Sequence, residues 1–228
     1  LIVANNPLIL SEGTRKGTIL LPIWDELVRR ASVLISHDNG MSWDPSLYLE
    51  VPDSLIPKSS KSTNNQQEKP TNQDSESYGI TTKNPIVLEG KGGSVIMLFQ
   101  TEGSNAVFMC ESQDVGYTWN SVRRIADLKI APQILSFALN VQNKEGKLTK
   151  SILLFGAIQQ SNEEFKPAIW ESKNNAKSFT LKWEGSSFDS VEILSCYQDF
   201  KATVHFLYKV KDQIIHLRRK FHNGQTKV

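Results

Sequence analysis

Two sets of side chains in this chain could do chemistry, and they sit in different sequence settings. The first is a pair of aspartates inside one repeated block. Ser36-His37-Asp38-Asn39-Gly40-Met41-Ser42-Trp43 and Ser112-Gln113-Asp114-Val115-Gly116-Tyr117-Thr118-Trp119 both read S-x-D-x-G-x-[ST]-W. The second set is scattered: Asp25 and Glu26 with Arg29 and Arg30, Gln100 with Glu102, Glu163 and Glu164, Glu192 and Tyr197, and Tyr208 with Lys211. Carboxylates can pass protons to and from a reacting group. Guanidinium forks grip carboxylates in bidentate fashion, and a deprotonated phenol can act as a nucleophile.

The repeated block is a recipe for a tight β-hairpin. Each copy follows an apolar run, Ser32-Val33-Leu34-Ile35 or Val107-Phe108-Met109-Cys110. Gly40 and Gly116 are expected in a backbone conformation that a Cβ would penalise. The aspartate accepts turn amides, and Trp43 or Trp119 opens the next strand as a packing anchor. Ser36, Asp38, Gly40, Trp43, Ser112, Asp114, Gly116 and Trp119 are therefore expected to be structural.

A longer repeat must position both sets. Asn6-Pro7-Leu8-Ile9-Leu10 recurs as Asn84-Pro85-Ile86-Val87-Leu88, and each copy continues through a second apolar run into a block. Every unit reads as four short strands, which is one propeller blade. A third, more worn unit ends in Ser172-Lys173-Asn174-Asn175-Ala176-Lys177-Ser178-Phe179, and a fourth begins near Val191. The stretch 58–77 is rich in Ser, Asn, Gln, Lys, Glu and Thr. It is expected to be a disordered, low-complexity insertion between blades one and two.

Strand parity assigns faces. In an up-and-down blade the block joins the third and fourth strands on one face. The hairpin between second and third strands opens on the other, as does the connection entering each blade. That other face is predicted to collect Asp25 to Arg30, Gln100 to Glu102, the 159–164 loop, Glu192 with Tyr197, and Tyr208 to Asp212. Glu163, Glu164 and Glu192 are the carboxylates expected within reach of the Tyr197 hydroxyl.

The block is the Asp-box pattern, and the chain resembles the Asp-box (BNR-repeat) sialidase-like family. Leu20-Leu21-Pro22-Ile23-Trp24-Asp25-Glu26 followed by Arg30-Ala31-Ser32 is similar to one blade of that family. Cys196-Tyr197-Gln198, His205-Phe206-Leu207-Tyr208 and Ile214-Ile215-His216 are similar to its closing stretch. The resemblance implies an all-β propeller, six-bladed in the family, of which residues 1–228 supply about four blades of a longer whole.

It also implies a glycoside hydrolase that removes sialic acid or a related acidic sugar with retention, through a tyrosine nucleophile. Tyr197 would be that nucleophile, Glu26 or Asp25 the acid, and Arg30 or Arg29 a ligand for the substrate carboxylate. Gln100, Tyr208 and Lys211 would complete the binding set, although Gln100 and Lys211 stand where the family places arginines. That loss opens a second reading, a non-catalytic Asp-box propeller that binds glycan or protein. A third, a partner-binding propeller of the sortilin type, is disfavoured by the Leu20–Glu26 and His205–Tyr208 segments. As structural alternatives, Tyr197 and Tyr208 would be rim aromatics, and Glu26 with Arg30 a surface pair.

The bulk properties fit these readings. At 228 residues with 39% hydrophobic and 22% charged content, the chain is an ordinary globular composition. A net charge of +2 gives no nucleic-acid signal, and no apolar run approaches a membrane span. No metal or organic cofactor is implied, and a glycan or glycoconjugate is the expected partner. Cys110 and Cys196 are expected as buried free thiols. The first residues have neither an initiator Met nor the basic segment of a signal peptide, so the compartment stays open.

Overall fold

The structure is a computed structural model that describes residues 1–55, 81–102, 104–161, 163–222 and 225–226. The predicted insertion at 58–77 lies outside the described residues. Blade one comprises β1 (Ile2–Val3), β2 (Leu8–Ile9), β3 (Ile19–Asp25), β4 (Arg30–Ser36) and β5 (Asp44–Pro45). Blade two is β6 (Thr82–Glu89), β7 (Val95–Thr101), β8 (Ala106–Ser112) and β9 (Asn120–Lys129). Blade three is β10 (Phe137–Gln142), β11 (Leu148–Gln159), β12 (Phe165–Ser172) and β13 (Thr180–Glu184). Blade four is β14 (Glu192–Gln198), β15 (Thr203–Val210), β16 (Gln213–His222) and β17 (Gln225–Thr226). Neighbouring strands within each blade pair antiparallel, and the four blades form an all-β propeller.

The first edge of blade one is split. β1 pairs with Ile23 and Trp24 of β3, and β2 pairs with Ile19 and Leu20 of the same strand. Counted from the box serines, Ile9 pairs with Ile19 opposite Ser36, as Glu89 pairs with Val95 opposite Ser112. Leu8 therefore matches Leu88, two residues away from the Asn-Pro alignment of the sequence. An even offset keeps every side chain on its own face of the sheet, so the repeat survives the shift.

The hydrophobic core lies between blades rather than under one sheet. Leu20, Val33, Ile35, Met97, Phe99 and Phe108 fill the space between blades one and two. Ile86, Leu98, Met109, Ile152, Leu154 and Trp170 join blades two and three. Phe155, Ile169, Cys196, Phe206 and Tyr208 join blades three and four. Burial pushes the thiols of Cys110 and Cys196 up, and both are free and buried.

The three boxes are one turn built three times. In the first, the Ser36 hydroxyl accepts from Gly40 N–H at 2.8 Å and donates to Asp38 Oδ1 at 2.8 Å. Asp38 then accepts Ser42 N–H at 2.9 Å and the Ser42 hydroxyl at 2.6 Å. Ser112, Asp114, Gly116 and Thr118 repeat this set within about 0.1 Å. In the worn copy, Asn174 Oδ1 still accepts Ser178 N–H, and Ala176 N–H still reaches Ser172 Oγ. Ala176 pays for the missing glycine with φ of +58°.

These bonds set a pH dependence. Hydrogen bonds from the Ser42 hydroxyl and amide, then from Ser36, hold Asp38 at about 2. A carboxyl depressed on folding contributes stability that is full above its unfolded value near 3.8 and is lost as pH falls through about 2. Asp38→Asn is therefore expected to flatten the decline in melting temperature between those two values. Parallel acid-limb slopes for the variant and the parent protein would contradict this.

Candidate functional site

The four antiparallel blades place the box turns 36–44, 112–120 and 172–180 on one face. The hairpins 89–95, 142–148 and 198–203 share that face. On the opposite face lie the second-to-third-strand hairpins: Asp25 to Arg30 and those that follow β7, β11 and β15. The parity argument thus holds for the hairpins, and the blade-one hairpin is where charged groups gather.

Asp25 closes β3 and is 9% exposed. Its Oδ1 accepts Leu27 N–H at 2.9 Å and Val28 N–H at 3.4 Å, an aspartate turn of ordinary kind. Its Oδ2 accepts the Tyr48 hydroxyl at 2.5 Å. The Tyr48 hydrogen bond, followed by the two turn amides, pulls the Asp25 carboxyl below its usual range. The same bond raises the Tyr48 phenol. Glu26 stands exposed at the turn. Arg29, at φ of +54°, pairs with Glu102 of blade two. Arg30 reaches Glu50 at 3.3 Å.

Tyr48 and Glu50 escaped the sequence reading. The chain after β5 stays against β4, with Ser46 N–H on Val33 O at 2.8 Å and Leu49 N–H on Ala31 O at 3.0 Å. Within Ser46-Leu47-Tyr48-Leu49-Glu50 only Ser46 and Leu49 are buried, while Leu47 is 65% and Tyr48 41% exposed. No period of two runs through these residues, so local pattern gave no signal for Tyr48 and Glu50, which meet Asp25 and Arg30 across the blade.

Three expected site residues are placed elsewhere. Tyr197 was expected beside Glu26 and Arg30, but the ladder puts it at the box-face end of β14. Glu192 pairs with Lys209 at the opposite face, whereas Tyr197 pairs with His205 next to the 198–203 hairpin. Five residues of strand separate the two, about 16 Å. Tyr197 lies flat against His205, with ring centroids 4.7 Å apart. Among the described residues no hydrogen bond joins its hydroxyl to a carboxylate.

Gln100 is 2% exposed, too buried to meet a substrate. Its Nε2 donates to Ile130 O at 2.9 Å and its Oε1 accepts Asn84 Nδ2 at 3.1 Å. It ties the start of blade two to the segment that leads from β9 into blade three. Tyr208 is 6% exposed against Phe155, and burial raises its phenol. Lys211 sits exposed on the 210–213 turn of blade four, on the same face as Arg30 but in a different blade. Among the described residues no group of three or more His, Cys, Asp or Glu side chains could hold a metal ion, and no helix is long and apolar enough to cross a membrane.

No family profile matches the chain, and no curated protein is significantly similar to it. Solved structures are similar. A leech intramolecular trans-sialidase, complexed with 2,7-anhydro-Neu5Ac, superposes with TM-score 0.59 at 17% identity, covering 94% of this chain and 31% of that one. The NanB sialidase of Streptococcus pneumoniae gives 0.58 at 16%, covering 90% and 27%. A GH93 α-L-arabinofuranosidase of Fusarium graminearum gives 0.50 at 15%, covering 90% and 55%. The chain thus has a sialidase-like propeller fold and spans roughly a third or less of the two sialidase-type structures.

Proposed function

We propose that residues 1–228 form the recognition part of a sialidase-like, glycoside-processing propeller. They bind the acidic end of a glycan at the blade-one corner of the face opposite the boxes. The observation that carries this reading is the placement of Arg29 and Arg30 side by side on one hairpin, each paired, among the described residues, with an exposed carboxylate. Glu102 is 53% exposed and Glu50 83% exposed. Exposed pairs contribute about 0–1 kcal/mol, so a ligand carboxylate can displace either partner at small cost. It gains a planar bidentate contact in return. The half-exposed Tyr48 ring beside them offers an apolar surface for a sugar face.

The same geometry argues against turnover by this corner alone. A general acid must hold its proton near the working pH, and Asp25 is pulled the other way by Tyr48 and the turn amides.

The hydrolase reading keeps one supporting observation, the Tyr48 hydroxyl on Asp25 at 2.5 Å. In that reading Tyr48, rather than Tyr197, attacks the anomeric carbon and passes its proton to Asp25. Glu26 protonates the departing oxygen, and water then cleaves the tyrosyl bond. Binding of a sialylated oligosaccharide and turnover of a fluorogenic sialoside separate the two. Recognition predicts that Arg30→Ala weakens binding about tenfold, about 1.4 kcal/mol, with no turnover by the parent protein. Turnover that Tyr48→Phe abolishes while binding persists would establish the hydrolase. Binding indifferent to both Arg29→Ala and Arg30→Ala would remove this corner from either reading.

A further inference from the structure

On blade four, far from that corner, four side chains form a chain of contacts that the glycan reading does not use. His205 Nε2 lies 3.1 Å from Asp199 Oδ2, and His205 Nδ1 lies 2.8 Å from His216 Nε2. The two imidazole centroids are 5.1 Å apart, with planes 16° from parallel. With the nitrogens at 2.8 Å, that separation is reached only when the rings meet end to end. The two nitrogen lone-pair directions therefore point at each other. Only one proton fits between them.

The Asp199 carboxylate fixes the tautomer, as assigned from the hydrogen-bond network. It accepts a hydrogen bond from His205 Nε2–H, which leaves Nδ1 unprotonated with its lone pair free to bind. A carboxylate behind an imidazole that offers its other nitrogen is the arrangement by which proteins orient metal-binding histidines. Asp199 is itself anchored, accepting the amides of Lys201 and Thr203 at 2.9 and 2.8 Å. Tyr197 covers one face of the His205 ring. His205 is thus held from two sides, while His216 is exposed.

We propose that His205 and His216 bind a divalent transition-metal ion of the zinc or copper class, with Asp199 orienting His205 and water completing the coordination. Imidazole nitrogens suit these ions. At a metal–nitrogen distance of 2.0–2.1 Å, a tetrahedral pair of nitrogens stands about 3.4 Å apart. The exposed His216 ring has to pivot, so that both nitrogens aim at one ion instead of at each other, and to open their separation by about 0.6 Å. Two protein ligands are fewer than the four of a structural zinc site, so the ion is held reversibly. Arg218 pairs with His205 across the ladder, and its charge opposes the ion.

Titration of the protein with Zn2+ and with Ni2+, followed by calorimetry, tests this. One saturable site per chain is expected, with Mg2+ giving none. His216→Gln is a surface change and is expected to abolish the site without altering the melting temperature of the metal-free protein. Asp199→Asn is expected to weaken binding 10–100-fold. Arg218→Gln is expected to tighten it, a gain that no loss of folding could mimic. Absence of saturable binding in both the parent and Arg218→Gln proteins overturns the proposal, as does unchanged binding in His216→Gln.

Discussion

Phe155→Ala is expected to cost about 3–5 kcal/mol, the range for deleting a fully buried aromatic ring. Phe155 is 0% exposed, and its ring meets Phe206 at 5.1 Å and Tyr208 at 5.9 Å, both edge to face. Those partners belong to β15, so the cavity would open between blades three and four rather than inside one sheet. Urea unfolding gives the magnitude, and amide exchange gives the location. Protection is expected to fall first in β14, β15 and β16, while β3, β4 and the first box stay protected. Uniform loss of protection across all four blades would mean that the sheets unfold as one unit and that the interblade core is not the divisible element described here.

How far the sequence could be read follows from the same geometry. The blades were legible because turn chemistry is local: Ser36, Asp38 and Gly40 make their bonds within five residues. The worn box was legible for the same reason, since Asn174 and Ser172 retain the bonding pattern of the better copies. Tyr208 was misplaced although the signal was present. Val204, Phe206, Tyr208 and Val210 alternate with His205, Leu207 and Lys209, and the first set is the buried one. Reading Tyr208 with its apolar neighbours would have put it in the core.

Tyr197 failed differently. Entry into a blade is not a point: β14 is a strand that begins on one face at Glu192 and ends on the other at Gln198. Face assignments hold for loops; within a strand they change over about five or six residues. Gln100 could not be placed from sequence at all. Its role depends on Ile130 O and Asn84, 30 and 16 residues away, and local pattern carries no trace of such bonds.

Gly116→Val is expected to cost about 2–5 kcal/mol, and Gly40→Val distinctly less, although both glycines hold the same box position. Each lies in the left-handed region, at φ of +95° and +88°, where a side chain costs about 1–2 kcal/mol. The difference is what surrounds them. A Cβ on Gly116 would stand 3.1 Å from Leu20 Cδ2 and 3.8 Å from Ile35 Cδ1, both in the blade-one core. A Cβ on Gly40 meets only Trp43 of its own turn, at 3.6 Å. Leu20 is 0% exposed and cannot move aside freely, so overpacking adds about 1–3 kcal/mol at Gly116 alone. The second box is thus both a hairpin turn and a wedge against blade one. Paired denaturation curves for the two variants decide the matter. Equal losses would show that the box glycines serve only their own turns and that the contact with Leu20 contributes nothing.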